Sequence, residues 1–171
     1  MSKLPAPPAI EARREARIDT LAPKFADAVR AILADLEAAG KPGVLFETLR
    51  DDNRQQYLHG FGRLYDDGRG IVTYSESADD TWHGYGLAAD IVSKKGGWND
   101  PEFFLLLLKL AAKHGCLSGA DWNRNGSAND ERFQDWPHIQ FGTLRRSPSP
   151  NAARLVDQLG LVGMWKYVGA A

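Results

Sequence analysis

The sequence predicts an α+β fold, a small single domain with a short antiparallel sheet flanked by helices. Strand-like runs and helical patterns are mixed along the chain without the regular strand–helix–strand rhythm of a doubly wound sheet. At 171 residues the chain is long enough for one domain with a real core and too short for two. Hydrophobic content of 43% and charged content of 25% are ordinary for a globular protein.

Leu4 to Ala9, rich in Pro and Ala, reads as an extended segment, so residues 1–17 are expected to form an N-terminal arm and 18–171 the domain. The first helix is expected from about Ala22 to Ala39. Phe25, Val29, Ile32 and Leu36 share one face there, and Gly40 with Pro42 ends it. Val44 to Thr48 reads as a short strand, followed by a helix capped by Asn53 and running through Tyr57 and Leu58. Ile71 to Tyr74 and Ala88 to Val92 are strand candidates between turn-rich stretches. Asp100-Pro101 opens a helix as N-cap and first-turn proline, and Gly115 closes it. That helix is apolar nearly all round and is expected at the centre of the fold. Trp136 to Phe141 reads as another strand, and Asn151 to Leu159 as the last helix.

A net charge of -1 gives no reason to expect nucleic acid as the main partner. One cysteine, Cys116, excludes both an internal disulfide and a thiolate cluster for metal. Met1 to Glu15 has no apolar centre, so a Sec-type signal peptide is not expected there. The most apolar run, Phe103 to Leu108, is far too short for membrane insertion.

Chemistry concentrates in two segments. Thr81-Trp82-His83-Gly84-Tyr85-Gly86-Leu87-Ala88-Ala89-Asp90 sets a His and an Asp seven residues apart across a Gly-rich bend. Asp135-Trp136-Pro137-His138-Ile139-Gln140 supplies a second His beside a carboxylate. His83, Asp90 and His138 make three ligands suited to Zn²⁺, and a catalytic zinc keeps its fourth position open. Pro137 holds Trp136 extended, which keeps Asp135 near His138 without making it a ligand. Taken singly, a residue such as His83 is more often a surface or hydrogen-bonded histidine than a ligand, and one such as Asp135 more often a turn or helix-cap carboxylate.

His83, Gly86, Ala88 and Asp90, followed by Asp135, Pro137 and His138, resemble the paired motifs of the D-alanyl-D-alanine carboxypeptidase and L-alanyl-D-glutamate endopeptidase family of zinc peptidases. Glu47 to Arg50 with Gln55 to Leu58 is similar to the family's Arg-containing stretch, and Gly119-Ala120-Asp121-Trp122 to its Gly-Gly-Asp-Trp stretch. The resemblance spans about residues 18 to 143. It implies that His83, Asp90 and His138 hold zinc and that Asp135 is the base that activates the metal's water. Arg50 would stabilise oxyanion charge, with Gln55 assisting; the alternatives are a surface ion pair of Arg50 with Asp51 or Asp52 and a helix-surface glutamine. Thr81 stands where the family often has Ser. Asp at 135, where the carboxypeptidase branches usually carry Glu, is similar to the bacteriophage endolysin branch.

Asp121, Asn123 and Asn125, with Gly126 sixth, match the opening of a calcium loop, and Asp130 and Glu131 could add oxygens. Position twelve, however, is Arg132, and the alternative is a polar loop folded on its own hydrogen bonds. Some phage endolysins of the family carry a calcium-binding insertion that this stretch resembles. Trp82, Trp122 and Trp136 adjoin the site and are candidates to line a substrate groove; Trp165 reads as core.

The expectation is therefore a monomeric peptidoglycan endopeptidase acting on the L-alanyl-D-glutamate bond of the stem peptide. As an endolysin it would collect in the host cytoplasm and reach the wall after holin-type release. The rivals are a D-alanyl-D-alanine carboxypeptidase and a non-catalytic wall-binding module with a structural zinc.

Overall fold

A computed structural model of the protein describes residues 4–5, 12–142 and 144–171. Most of the expected extended segment at Leu4 to Ala9 lies outside the described residues, although Leu4 pairs with Tyr65 in an isolated bridge. The described elements are α1 (Pro23–Ala38), β1 (Gly43–Glu47), α2 (Asp52–Gly60), β2 (Ala88–Ser93), α3 (Pro101–Lys113), β3 (Cys116–Ser118), β4 (His138–Phe141) and α4 (Ala152–Tyr167), with short 3-10 turns before α1 and before β2. The four strands form one antiparallel sheet in the order β1-β2-β4-β3. The expected α+β class is the one observed.

Strand alternation divides this sheet chemically. Ala89 and Ile91 of β2 and Ile139 of β4 enter the core with Phe25, Val29, Ile32 and Leu36 of α1 and Phe103 and Leu107 of α3. Asp90, His138 and Gln140 therefore project from the other face, where they line a cleft. Helix α3 begins where its cap demands. Asp100 accepts a 3.1 Å hydrogen bond from the Phe103 amide and a 2.7 Å bond from the Ser93 hydroxyl, which ties the helix start to the end of β2.

Four expectations are corrected. Ile71 to Tyr74 is not a strand; Ile71, Val72 and Tyr74 are exposed along the cleft rim, and the segment is held by side chains instead. Gln55 donates to the Thr73 hydroxyl (3.3 Å) and the Ser75 carbonyl (2.5 Å), and Arg63 to the Thr73 carbonyl (2.9 Å). Helix α2 is capped by Asp51, whose carboxylate accepts from the Arg54 amide at 2.8 Å, so Asn53 lies inside the helix. Helix α3 is not buried all round: it covers one face of the sheet and leaves Leu105 half exposed. The helix expected from Asn151 to Leu159 is not the last: Gly160, with φ 69° and ψ 170°, breaks it where expected, and a further helical segment runs on to Tyr167. Strand β3, only three residues long, carried no periodic signal.

Leu107 is fully enclosed between α1 and the sheet. Leu107→Ala should lower the unfolding free energy by about 2–5 kcal/mol, read as a reduced urea midpoint at unchanged slope.

Candidate metal centre and cleft

The 3-10 turn Trp82–Tyr85 closes on Gly86, whose φ of 63° reverses the chain into β2. A side chain on Gly86 would meet the Thr20 carbonyl at 2.6 Å, and one on Gly84 would collide with the Ala78 carbonyl. The turn thus lies flat against its neighbours and aims His83 back over β2. Asp90 is paired directly with His138 in the β2–β4 register. All three side chains are buried.

Their facing atoms form a nearly equilateral triangle. His83 Nε2 lies 3.3 Å from Asp90 Oδ1 and 3.3 Å from His138 Nδ1, and His138 Nδ1 lies 3.4 Å from Asp90 Oδ1. Two ligands about 2.0–2.1 Å from one tetrahedral ion are about 3.3–3.4 Å apart, so the triangle is the right size for zinc. The outer nitrogens are already committed. His83 Nδ1 donates to the Thr48 carbonyl (2.8 Å), and His138 Nε2 to Gln140 Oε1 (3.1 Å). Gln140 is itself oriented, because its amide N–H donates to the Arg145 carbonyl at 2.7 Å. Both imidazoles therefore turn a lone pair inward, as metal ligands must. Among the described residues this is the one group of three His, Cys, Asp or Glu side chains that could hold a metal ion.

Charge supports the same reading. Burial pushes the Asp90 carboxyl up, but His83 and His138 outweigh it and hold it well below the usual carboxylate range. Burial pushes the His138 imidazole down, yet the hydrogen bond to Asp90 and the charge of Asp135 leave it raised. Asp135 is raised, by burial first and by Asp90 among its neighbours, against the opposing pull of His138, His83 and Arg50. Two carboxylates in a buried site favour a cation between them.

Asp135 lines the cleft beside the triangle without belonging to it. Its amide donates to the Gly119 carbonyl (2.8 Å), and the Gly119 amide donates to the His138 carbonyl (2.7 Å). A Cβ at Gly119 would press on His138 Cβ at 2.9 Å and Asp135 Cβ at 3.0 Å. Gly119 is thus what allows Asp135 and His138 to approach, a role visible in sequence only as one glycine of Gly-Ala-Asp-Trp.

Arg50 is buried rather than paired at the surface with Asp51 or Asp52. Its guanidinium donates to Glu47 (2.7 Å) and Gln55 (3.0 Å) and lies 3.6 Å from Asp90, while its Nε is buried without a partner among the described residues. Gln55 is fully buried, not a helix-surface residue. Glu47 and Arg54, which accompany Arg50 (Arg54 Nε to Glu47, 2.8 Å), were not read as site residues from sequence. Their i,i+3 and i,i+7 spacing carries no signal until the strand end and the helix meet.

The cleft has a volume of about 720 Å³. Thr81 and Trp82 line it, but Trp82 is mainly a buried strut whose indole donates to the Arg145 carbonyl (2.7 Å). Trp136 instead packs against the core, and Trp122 takes the wall position, its ring 5.6 Å from that of His138. Phe46 and Trp98, in edge contact at 4.9 Å, form the opposite end.

The calcium expectation finds no support. Asp121 accepts from the Asn125 and Gly126 amides (3.0 and 2.8 Å), Asp130 from the Asn123 and Asn125 side chains (3.0 and 2.6 Å), and Glu131 from the Asn123 amide (2.8 Å). These loop carboxylates accept hydrogen bonds from the loop's own N–H groups.

No family model matches the sequence, and no curated protein matches it. Solved structures do. The vancomycin-resistance D,D-pentapeptidase VanY of the VanB-type cassette, in complex with Zn(II), matches at 14% identity over 94% of this chain and 92% of that one, with a TM-score of 0.50. VanYB in complex with D-alanine-D-alanine matches at 14% over 96% and 92%, with a TM-score of 0.51. The L-Ala D-Glu endopeptidase ChiX of Serratia marcescens is matched at 20% over 77% and 88%, with a TM-score of 0.48. The chain has the VanY fold. At such identities the likeness is one of architecture, and the chemistry rests on the side chains above.

Zinc at 100 times its dissociation constant should stabilise this VanY-fold domain by about 2.7 kcal/mol, seen as a raised Tm that chelation reverses. His83→Ala should abolish that shift. Gln140→Ala, which removes the acceptor behind His138, should weaken zinc binding by about 10–100-fold in a calorimetric titration.

Proposed function

We propose that the chain is a zinc-dependent peptidase that hydrolyses the L-alanyl-D-glutamate bond of the peptidoglycan stem peptide, in the manner of a phage endolysin. The observation that carries the hydrolytic reading is the pairing of a closed ligand triangle with a carboxylate just outside it: Asp135 shares the cleft with His83, Asp90 and His138 yet is not one of the converging atoms. A structural metal has no need of such a neighbour.

His83, Asp90 and His138 would hold the ion. When bound, zinc acts as a Lewis acid and lowers the pKa of water from 15.7 to about 7. Asp135 accepts the proton released as the peptide carbonyl is attacked, then returns it to the departing amine nitrogen. Arg50, held by Glu47 and Gln55, offers fixed positive charge to the developing oxyanion. Gln55 acts through Arg50 and through the cleft rim that it fastens at Thr73 and Ser75.

The choice of bond follows the Asp-x-Pro-His form of the last motif. A second reading, D-alanyl-D-alanine carboxypeptidase, is favoured by the fold shared with VanYB, which was captured with D-alanine-D-alanine. Among the described residues no helix is long and apolar enough to cross a membrane; in the proposed role the protein would reach the wall from the host cytoplasm after holin-type release.

Mass spectrometry of digested muropeptides should show new free D-Glu amino termini; free D-alanine as the sole product would establish the carboxypeptidase instead. Asp135→Asn should retain zinc and lose cleavage by about 10²-fold or more. Undiminished cleavage in that variant would remove Asp135 from the mechanism.

A further inference from the structure

Arg146 stands apart from the other arginines of the cleft. Arg50 and Arg54 share Glu47, and Arg69 is paired with Asp67 at 2.7 Å. Arg146 has no carboxylate partner among the described residues; its guanidinium lies instead against two aromatic rings, 4.9 Å from the centre of Trp122 and 4.8 Å from that of Phe133. The side chain is exposed and lines the cleft.

Its backbone is not left to chance. The carbonyl of the preceding residue, Arg145, accepts from both Trp82 and Gln140 at 2.7 Å. The Leu144 carbonyl accepts from Arg124 at 2.8 Å, and the same guanidinium bonds the Gly142 carbonyl. The segment carrying Arg146 is thus fastened to the side chain that orients His138. Trp122 in turn lies 5.6 Å from the His138 ring, which sets the Arg146 charge within about three extended residues of the metal ligands.

A guanidinium stacked on aromatic rings keeps its in-plane N–H donors for a planar acceptor, and a carboxylate takes two of them at once. We propose that Arg146, seated on Trp122 and Phe133, is a specificity residue that binds a carboxylate of the substrate peptide near the scissile bond. The inference rests on the peptidase reading above and deepens it. In a stem peptide with lysine as its third residue, the type used for the test, two groups offer this chemistry: the α-carboxylate of γ-linked D-Glu, and the carboxylate that ends the chain.

The test is calorimetric titration of zinc-loaded Asp135→Asn protein, which leaves the peptide intact, with three synthetic stem peptides. One has both carboxylates free, one is amidated at the D-Glu α-carboxyl, and one at its C-terminus. One amidation should weaken binding by about 10–100-fold, the scale of a lost charge-assisted hydrogen bond, and so name the carboxylate. Adding Arg146→Gln should bring the affinity ratio of free to amidated peptide to about one, with zinc affinity and Tm unchanged. Equal affinity for all three peptides, no binding of any, or discrimination that survives Arg146→Gln would overturn the assignment. If the discrimination is present but wild-type protein cuts a different bond, or none, the proposed reaction fails and the carboxylate subsite stands.

Discussion

Asp90 is the residue on which the site depends. Through one carboxylate it faces His83, His138 and Arg50. It can do so because β2 and β4 are paired with Asp90 opposite His138 and because β1 ends at Glu47 on the other side of β2. A slip of one residue in either pairing would send Asp90 or His138 into the packed side of the sheet and Ile91 or Ile139 into the cleft. The hydrophobic residues that alternate with the ligands therefore do two things at once. They bury the sheet against α1 and α3, and they fix which face the ligands occupy.

The cleft floor is also a balance of buried charge. Glu47 is enclosed between Arg50 and Arg54, and Asp90 lies between Arg50 and two imidazoles. Buried ion pairs are a poor source of net stability, because desolvation offsets most of the attraction. Their value here is positional. With Glu47 and Gln55 holding two of its nitrogens, Arg50 meets Asp90 at Oδ2, 3.6 Å away, and leaves Oδ1 to the two imidazoles of the triangle.

Sequence and structure agree most closely where chemistry is encoded in short spacings. His83 to Asp90 and Asp135 to His138 are local motifs with distinctive residue types, and α1 and α3 announce themselves through caps and helical periodicity. The signal fails where the third dimension supplies the meaning. Ile71 to Tyr74 has the composition of a strand, but it joins no strand among the described residues, and hydrogen bonds from Gln55 and Arg63 hold it instead. Gln55 looks like a surface residue of a short polar helix, yet the cleft rim folds over it. Adjacency to Asp135 and His138 favoured Trp136 as a groove residue, whereas the turn after Asp135 points it to the core and leaves the wall to Trp122, distant in sequence from His138.

The loop beginning at Asp121 shows how one polar pattern can serve two ends. Alternating Asp and Asn oxygens ending in glycine suit a cation, and they also suit a loop that satisfies its own amides, which is the bonding the structure shows. That choice has a consequence for the cleft. Asp121 is buried and pins the loop's return at Asn125 and Gly126, so Trp122 leaves the chain at a fixed point, one turn after Gly119. Gly119 clamps Asp135 and His138, and Trp122 covers the His138 ring. Asp135, His138 and the aromatic wall are thus located by one four-residue stretch, Gly119-Ala120-Asp121-Trp122, none of whose side chains takes part in the triangle. A substitution there would act on the chemistry through distance and angle while leaving every reacting group in place.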